Sequence, residues 1–214
     1  MTPNHHPSYE VLLDYAAGNL SLAPSIIVAV HCSMCQECTE ILNSINVAGA
    51  ALIEDLDREK ININSLEKVL AQLDDNLDDI EEEAIYDNSK FNFTIPKTLQ
   101  TYIPETLNWK NLSSGVRTAE LLSNDGFNLD IYKIMSGYKI PKHTHTGYEY
   151  TMVIDGGFTD NNKYFGPGDF SLLDHSTEHS PKADSDKDCY CIVSLDSKIK
   201  LTGPIGRIFN LINN

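Results

Sequence analysis

The stretch GYKIPKHTHTGYEYTMVIDG, residues 137–156, decides how this chain folds. His143 and His145 stand two apart, and in a strand such positions project to one face. Glu149 keeps the same parity after a short break at Gly147. Gly156 ends the stretch, where the chain can turn into a following strand. Two imidazoles and a carboxylate on one face, with positions left open, suit Zn, Fe, Mn or Ni.

The sequence around this stretch is also strand-like. From Phe91 onward, short runs rich in aromatic and branched residues recur: 129–135, 148–154, 170–173 and 190–195. Turn signals separate them, at Asn124-Asp125-Gly126, Asp155-Gly156-Gly157, Asp160-Asn161-Asn162 and Gly166-Pro167-Gly168. Many short strands at near-regular spacing predict a sandwich or barrel. The order Gly137, His143, His145, Glu149, Gly156 resembles the first cupin motif at every fixed position. That resemblance implies a cupin β-barrel, a double-stranded β-helix of jelly-roll type. Gly166-Pro167-Gly168-Asp169 is similar to the turn of the second cupin motif, with the glycine following the proline directly. The second motif asks for a further histidine. His175 and His179 are both available. His179 fits better, because a few residues then separate the strand from the ligand and Pro181 follows. Cys189 and Cys191 share one strand face, either as packing residues of the barrel or as oxidation-sensitive thiols near the metal.

The first 75 residues read as helical instead. Ser8 can cap a helix over 9–17 that Gly18 stops. Ser21 can cap a second, with Pro24 in its first turn. A third is expected from about Met34 towards Leu52, with Ile41, Ile45, Ala48 and Leu52 on one stripe. Asn64 and Glu67 resemble a capping box ahead of Leu66, Val69, Leu70 and Leu73. Within this region His31, Cys35 and Cys38 form H-x-x-x-C-x-x-C. On one continuous helix these positions share a face, and such a trio suits Zn²⁺. Tetrahedral zinc needs a fourth ligand. His5 and His6 are both candidates, with His6 preferred. Cys32 lies off that face and reads as a packing residue.

Composition narrows the function classes. The formal net charge is −15, which argues against direct nucleic-acid binding and suits a basic protein partner. No apolar run approaches the ~20 residues of a membrane span, and no secretory signal is visible, so a cytoplasmic protein is expected. Five cysteines in two tight clusters do not resemble a secreted disulfide framework. Between the halves, Asp74, Asp75, Asp78, Asp79, Glu81, Glu82, Glu83 and Asp87 form an acidic run. It reads as a solvated linker, or as a lure for a basic surface.

The N-terminal spacing resembles the zinc-binding anti-sigma family, and a helical zinc domain followed by a cupin resembles the ChrR-type anti-sigma factors. The resemblance implies an α+β chain of two domains: a helical anti-sigma domain over 1–75, an acidic linker over 76–92 and a cupin over 93–214. It implies that His6, His31, Cys35 and Cys38 hold a structural zinc. His143, His145, Glu149 and His179 would hold the cupin metal, also zinc, and Cys189 and Cys191 would be candidates in the response. The implied partner is a group IV (extracytoplasmic-function) sigma factor, released on an oxidative signal such as singlet oxygen or organic peroxides. Self-association through barrel edge strands stays open. The rival reading is a cupin enzyme, a dioxygenase or isomerase of small molecules, with a zinc-stabilised helical appendage.

Overall fold

The computed structural model describes residues 2–54, 56–57, 60, 62, 64–74, 91–124, 127–196 and 199–202. Helices come first: α1 (Tyr9–Ala16), α2 (Leu22–Met34), α3 (Gln36–Glu54) and α4 (Ser65–Asp74), with a short α5 (Lys97–Gln100) leading into the strands. Ser8 caps α1, its Oγ accepting from Val11 N at 3.4 Å. Gly18 follows at φ +72°, where a side chain would be strained. α2 is almost wholly apolar, and Ile26, Ile27, Val28 and Val30 are all buried. A helix apolar on all sides must be covered on all sides.

The third helix expected from about Met34 is present, whereas the shared helical face expected for His31, Cys35 and Cys38 is corrected by the structure. α2 ends at Met34, Cys35 is extended (φ −120°, ψ 107°), and α3 starts afresh at Gln36. His31, Cys35 and Cys38 therefore occupy a helix end, a break and a helix start, rather than one face of a single helix. Thr39 staples the break, its Oγ1 donating to the carbonyls of Cys32 and Cys35 at 2.6 and 2.9 Å. The stripe on α3 is packed only in its first half: Ile45 is buried, whereas Leu52 is 72% exposed.

The β region holds β1 (Lys110–Ser113), β2 (Val116–Asn124), β3 (Phe127–Ile134), β4 (His143–His145), β5 (Glu149–Asp155) and β6 (Phe158–Asp160). It continues with β7 (Lys163–Phe165), β8 (Phe170–Leu173), β9 (Lys182–Ala183), β10 (Cys189–Leu195) and β11 (Ile199–Leu201). All pairings are antiparallel. The six-stranded sheet runs β1-β2-β3-β10-β5-β8, beside a pair β11-β4 and a triplet β7-β6-β9. Single bridges, Lys139 to Lys182 and His143 to His179, join the two small sheets. Residues from β1 to β6, β8, β10 and β11 face one common cavity, so the strands wrap an interior as a cupin does. The turn residues 125 and 126, and the acidic run from Asp75 to Asp87, lie outside the described residues.

The central strands β5 and β10 are buried on both faces, which explains their short unbroken apolar runs. Met152, Ile154 and Ile192 turn towards the helices, into a core shared with Leu12, Ile27 and Val30. Val153, Cys191 and Val193 turn inward with Val116 and Ile134. Helices and barrel thus share one core, and α5 extends it through Ile95, Leu99 and Ile103.

Candidate metal centres and the family of the chain

Two groups of donor atoms converge among the described residues. Each residue of a group offers one ligand atom, and within each group these atoms lie within 4.8 Å of one another.

The first group is His6, His31, Cys35 and Cys38. Cys35 Sγ lies 3.3 Å from His6 Nδ1, His31 Nε2 lies 3.3 Å from Cys38 Sγ, and Cys38 Sγ lies 3.5 Å from His6 Nδ1. Zinc bonds of about 2.0–2.1 Å to imidazole and about 2.3 Å to thiolate put tetrahedral N and S atoms roughly 3.5 Å apart. The donor set and its spacing therefore fit zinc. The other nitrogen of His31 is also engaged, with Nδ1 2.8 Å from the carbonyl of Gly168. A carbonyl can only accept, so Nδ1 carries the proton and Nε2 presents its lone pair to the cysteines. Burial holds the His31 pKa below its ordinary value, partly offset by that hydrogen bond. Burial, reinforced by Cys35, pushes the Cys38 thiol up to about 12. Without a cation the thiol keeps its proton, and metal binding must displace it. His5 stands outside the group, its Nε2 2.9 Å from the carbonyl of Tyr164. Cys32 packs half-buried against the core, and burial pushes its thiol to about 11.

The second group is His143, His145, Glu149 and His179. β4 aims both His143 and His145 inward, and both are buried. Glu149 opens β5, and His179 reaches in from the loop before β9, its backbone paired with that of His143 at 3.0 Å in both directions. His145 Nε2 lies 3.0 Å from His179 Nε2 and 3.4 Å from Glu149 Oε2. Ligand atoms about 2.1 Å from one ion are roughly 3.0 Å apart at right angles and 3.4 Å apart in a tetrahedron, so this spacing also fits a cation. Outer partners set the tautomers: His143 Nδ1 donates to the carbonyl of Pro141 at 2.8 Å and His179 Nδ1 to Asp160 at 3.2 Å. His145 Nδ1 is buried with no hydrogen-bond partner among the described residues. Burial, helped by His143 and His179, lowers the His145 pKa to about 4. Burial raises the Glu149 carboxyl above its ordinary value. Burial alone would raise Asp160 too, but donors from His179 and Ser180 outweigh it and its pKa falls. His175 is exposed and not part of the group; its carbonyl accepts from Thr144 Oγ1 at 3.1 Å.

Beside this group lies a cavity of about 430 Å³, walled mainly by apolar side chains such as Val116, Ile134, Phe158 and Leu201. Cys191 faces it and Cys189 packs alongside, both buried. The hydrogen bond with Cys189, and burial, raise the Cys191 thiol far above its ordinary value. Sequence reasoning missed Asp160 and Asp169. Both sit in stretches read as turns, and neither spacing nor alternation marks a carboxylate that serves as an outer support.

Residues 98–198 match the family described as the ChrR cupin-like domain. The chain is 34% identical over 203 residues to anti-sigma-E factor ChrR of Cereibacter sphaeroides, covering 94% of this chain and 93% of that protein. The chain belongs to the ChrR family of anti-sigma factors. Its structure is similar to that of ChrR in the crystal structure of Rhodobacter sphaeroides SigE in complex with the anti-sigma ChrR. The TM-score is 0.76 at 32% identity, over 91% of this chain and 99% of that one. The ChrR family is one of regulators, which removes the reading of the barrel as a cupin enzyme. No described helix is long and apolar enough to cross a membrane.

Proposed function

We propose that this chain binds a group IV sigma factor through its helical region, withholds it from RNA polymerase, and releases it when the barrel takes up an oxidative or small-molecule signal. The observation that carries this reading is a set of large apolar side chains on α3 and α4 that stay exposed among the described residues. Leu66, Val69 and Leu70 lie at helical spacing on α4 and are between 51% and 67% exposed. Val47, Leu52 and Ile53 on α3, and Leu56 just after it, are exposed as well. Several large apolar side chains left exposed on neighbouring elements of the sequence point to an interaction site. Membership of the ChrR family, and likeness to a chain crystallised with SigE, support a sigma factor as the occupant. The acidic balance would speed capture of a basic face.

On this reading the anti-sigma region spans 1–75, an acidic linker 76–92 and the sensor 93–214. His6, His31, Cys35 and Cys38 hold a structural zinc that cross-links the N-terminal segment, the end of α2 and the start of α3. His143, His145, Glu149 and His179 hold a second zinc, which would supply a Lewis-acid contact for an oxygen atom entering the cavity. Asp160 and Pro141 orient His179 and His143 for it, and the apolar wall selects what enters. Cys191 is the thiol that an oxidant in the cavity meets. The protein works in the cytoplasm, with no membrane or nucleic-acid contact of its own, and barrel edge strands offer a route to a homodimer.

The test is affinity capture of the tagged chain from unstressed host cells, with mass spectrometry of what comes with it. Recovery of a group IV sigma factor, lost on Cys35→Ser/Cys38→Ser, supports the reading. Absence of any sigma factor under conditions where the complex should persist would overturn it.

A further inference from the structure

The helical metal group does not stand on the helices alone. Its first ligand, His6, lies in a non-helical segment ahead of α1. That segment is attached to the rim of the barrel instead. Asp169 is almost wholly buried, and its Oδ1 accepts from the backbone of Asn4 at 2.5 Å and of His5 at 3.0 Å. Its Oδ2 accepts from Gly166 N at 2.8 Å, which fixes the carboxylate in its own turn. Phe170 N, at the start of β8, donates to the carbonyl of His5 at 3.0 Å. His5 Nε2 reaches the carbonyl of Tyr164 at 2.9 Å. A second ligand, His31, donates its Nδ1 proton to the carbonyl of Gly168 in the same turn. Gly168 has φ +90°, and a Cβ there would stand 2.8 Å from Pro3 Cγ, so barrel and N-terminal segment touch without slack.

We propose that the barrel turn over residues 166–170 is the outer support of the helical metal site, with Asp169 positioning His6 and the Gly168 carbonyl orienting His31. The inference rests on reading the His6, His31, Cys35 and Cys38 group as metal ligands. Cys35 and Cys38 are placed by the helices and their break, whereas His6 and His31 are oriented by the barrel. A displacement of the turn therefore withdraws support from two of four ligands. The helical metal site becomes the point at which the state of the barrel is read. Outer partners of metal-bound imidazoles typically govern metal affinity by about 10–100-fold.

The test uses the full chain loaded with Co²⁺. Thiolate-to-cobalt charge-transfer absorption reports the Cys35 and Cys38 site alone, since the barrel group contains no sulfur. Decay of that band under excess chelator is followed in wild type, Asp169→Ala, Asp169→Asn and the distant barrel variant Asp188→Ala. Asp169→Ala should lose the band about 10–100-fold faster. Asp169→Asn should fall between, since its amide oxygen can still accept from Asn4 and His5, and Asp188→Ala should match wild type. Release of cobalt from the barrel site should change far less than the thiolate band in all of them, which a general loss of stability would not produce. Amide hydrogen exchange at Asn4 and His5 should rise in Asp169→Ala. Decay at the wild-type rate in a folded Asp169→Ala overturns the inference, as does the same result for Asp169→Asn if the alanine variant does not fold. A wild-type chain that shows no thiolate band sinks the metal reading, and this inference with it.

Discussion

Replacing Leu66 and Leu70 on α4 with serine should weaken sigma binding strongly and leave the free protein almost untouched. Both side chains are exposed, Leu66 by 67% and Leu70 by 51%. Burying a whole leucine side chain is worth roughly 1.5–3 kcal/mol. Scaled by those exposures, covering both removes enough surface for about 2–3.5 kcal/mol. At 1.4 kcal/mol per decade this is a loss of roughly 30–300-fold in Kd. Because neither side chain supports the core, thermal stability of the isolated chain should move by less than ~0.5 kcal/mol. The assay is calorimetric titration of the double variant into purified group IV sigma factor from the same host. Urea unfolding of the free chain runs beside it, and Tyr148→Ser, an exposed barrel residue, is the control. Wild-type affinity for the double variant, or equal weakening by Tyr148→Ser, would refute α4 as the contact.

Metal content gives the next prediction: Cys35→Ser/Cys38→Ser should bind one zinc equivalent where wild type binds two, whereas Cys191→Ser should still bind two, by elemental analysis of dialysed protein. Asp160→Asn should lower barrel-site metal affinity by about 10–100-fold through loss of the acceptor for His179 Nδ1, read by competition with a chromophoric chelator. For metal-free protein the buried histidines set the sign with pH: His31 and His143 are lowered and His145 falls from 6.5 unfolded to about 4 folded, against a raised Glu149 that acts the other way. A depressed histidine contributes stability above its unfolded pKa and loses it as pH falls through the folded one, because the unfolded chain takes up the proton first. Urea midpoints should therefore drop between pH 6.5 and 4, and drop less steeply in His145→Gln; an unchanged slope counts against the assignment. Ile27→Ala, in the core shared by helices and barrel, should cost about 2–5 kcal/mol and lower a single unfolding transition followed by both far-UV ellipticity and Trp109 fluorescence. Two separate transitions would contradict a common core.

The barrel site was legible because its chemistry is local. Strand alternation alone places His143 and His145 together, and Glu149 follows by parity. His179 needed a known motif, since only tertiary structure brings its loop to β4. The helical cluster was legible in composition but not in geometry. Ile and Val upstream of His31, and the long pattern after Gln36, hide the break at Cys35 from any reading by periodicity. The ligands still converge because the break turns Cys35 and Cys38 back towards His31. His6, preferred over His5 from the sequence, is the ring the structure brings to the cysteines, while His5 is engaged by the carbonyl of Tyr164. That engagement is tertiary, and no local pattern announces it. The same holds for the packing of α2 on the sheet, whose apolar character announces burial without naming the surface that provides it.

A signal in the cavity can act on the helices only if it changes the relative free energy of two arrangements. Moving a population from 1:99 to 99:1 requires about 5.5 kcal/mol. Five hydrogen bonds join the N-terminal segment and His31 to the barrel: two to Asp169, one from Phe170 N and one to Gly168 in the turn, and one to Tyr164 on β7. At about 0.5–1.5 kcal/mol net for each, their loss amounts to roughly 3–7 kcal/mol. On the proposed function, a junction of that size would hold the helical metal site in register and still yield to a differential affinity of the same order. The apolar core between α2 and the sheet is a poorer hinge, because opening it would expose Ile27, Met152 and Ile192 together. The strand that joins the two sites is β8, which pairs with β5, the strand bearing Glu149, and begins at Phe170 beside Asp169. On the proposed function, a change at Glu149 would reach the Asp169 clamp on Asn4 and His5 through its pairing with Leu173, three residues from Phe170, while the core beneath stayed closed.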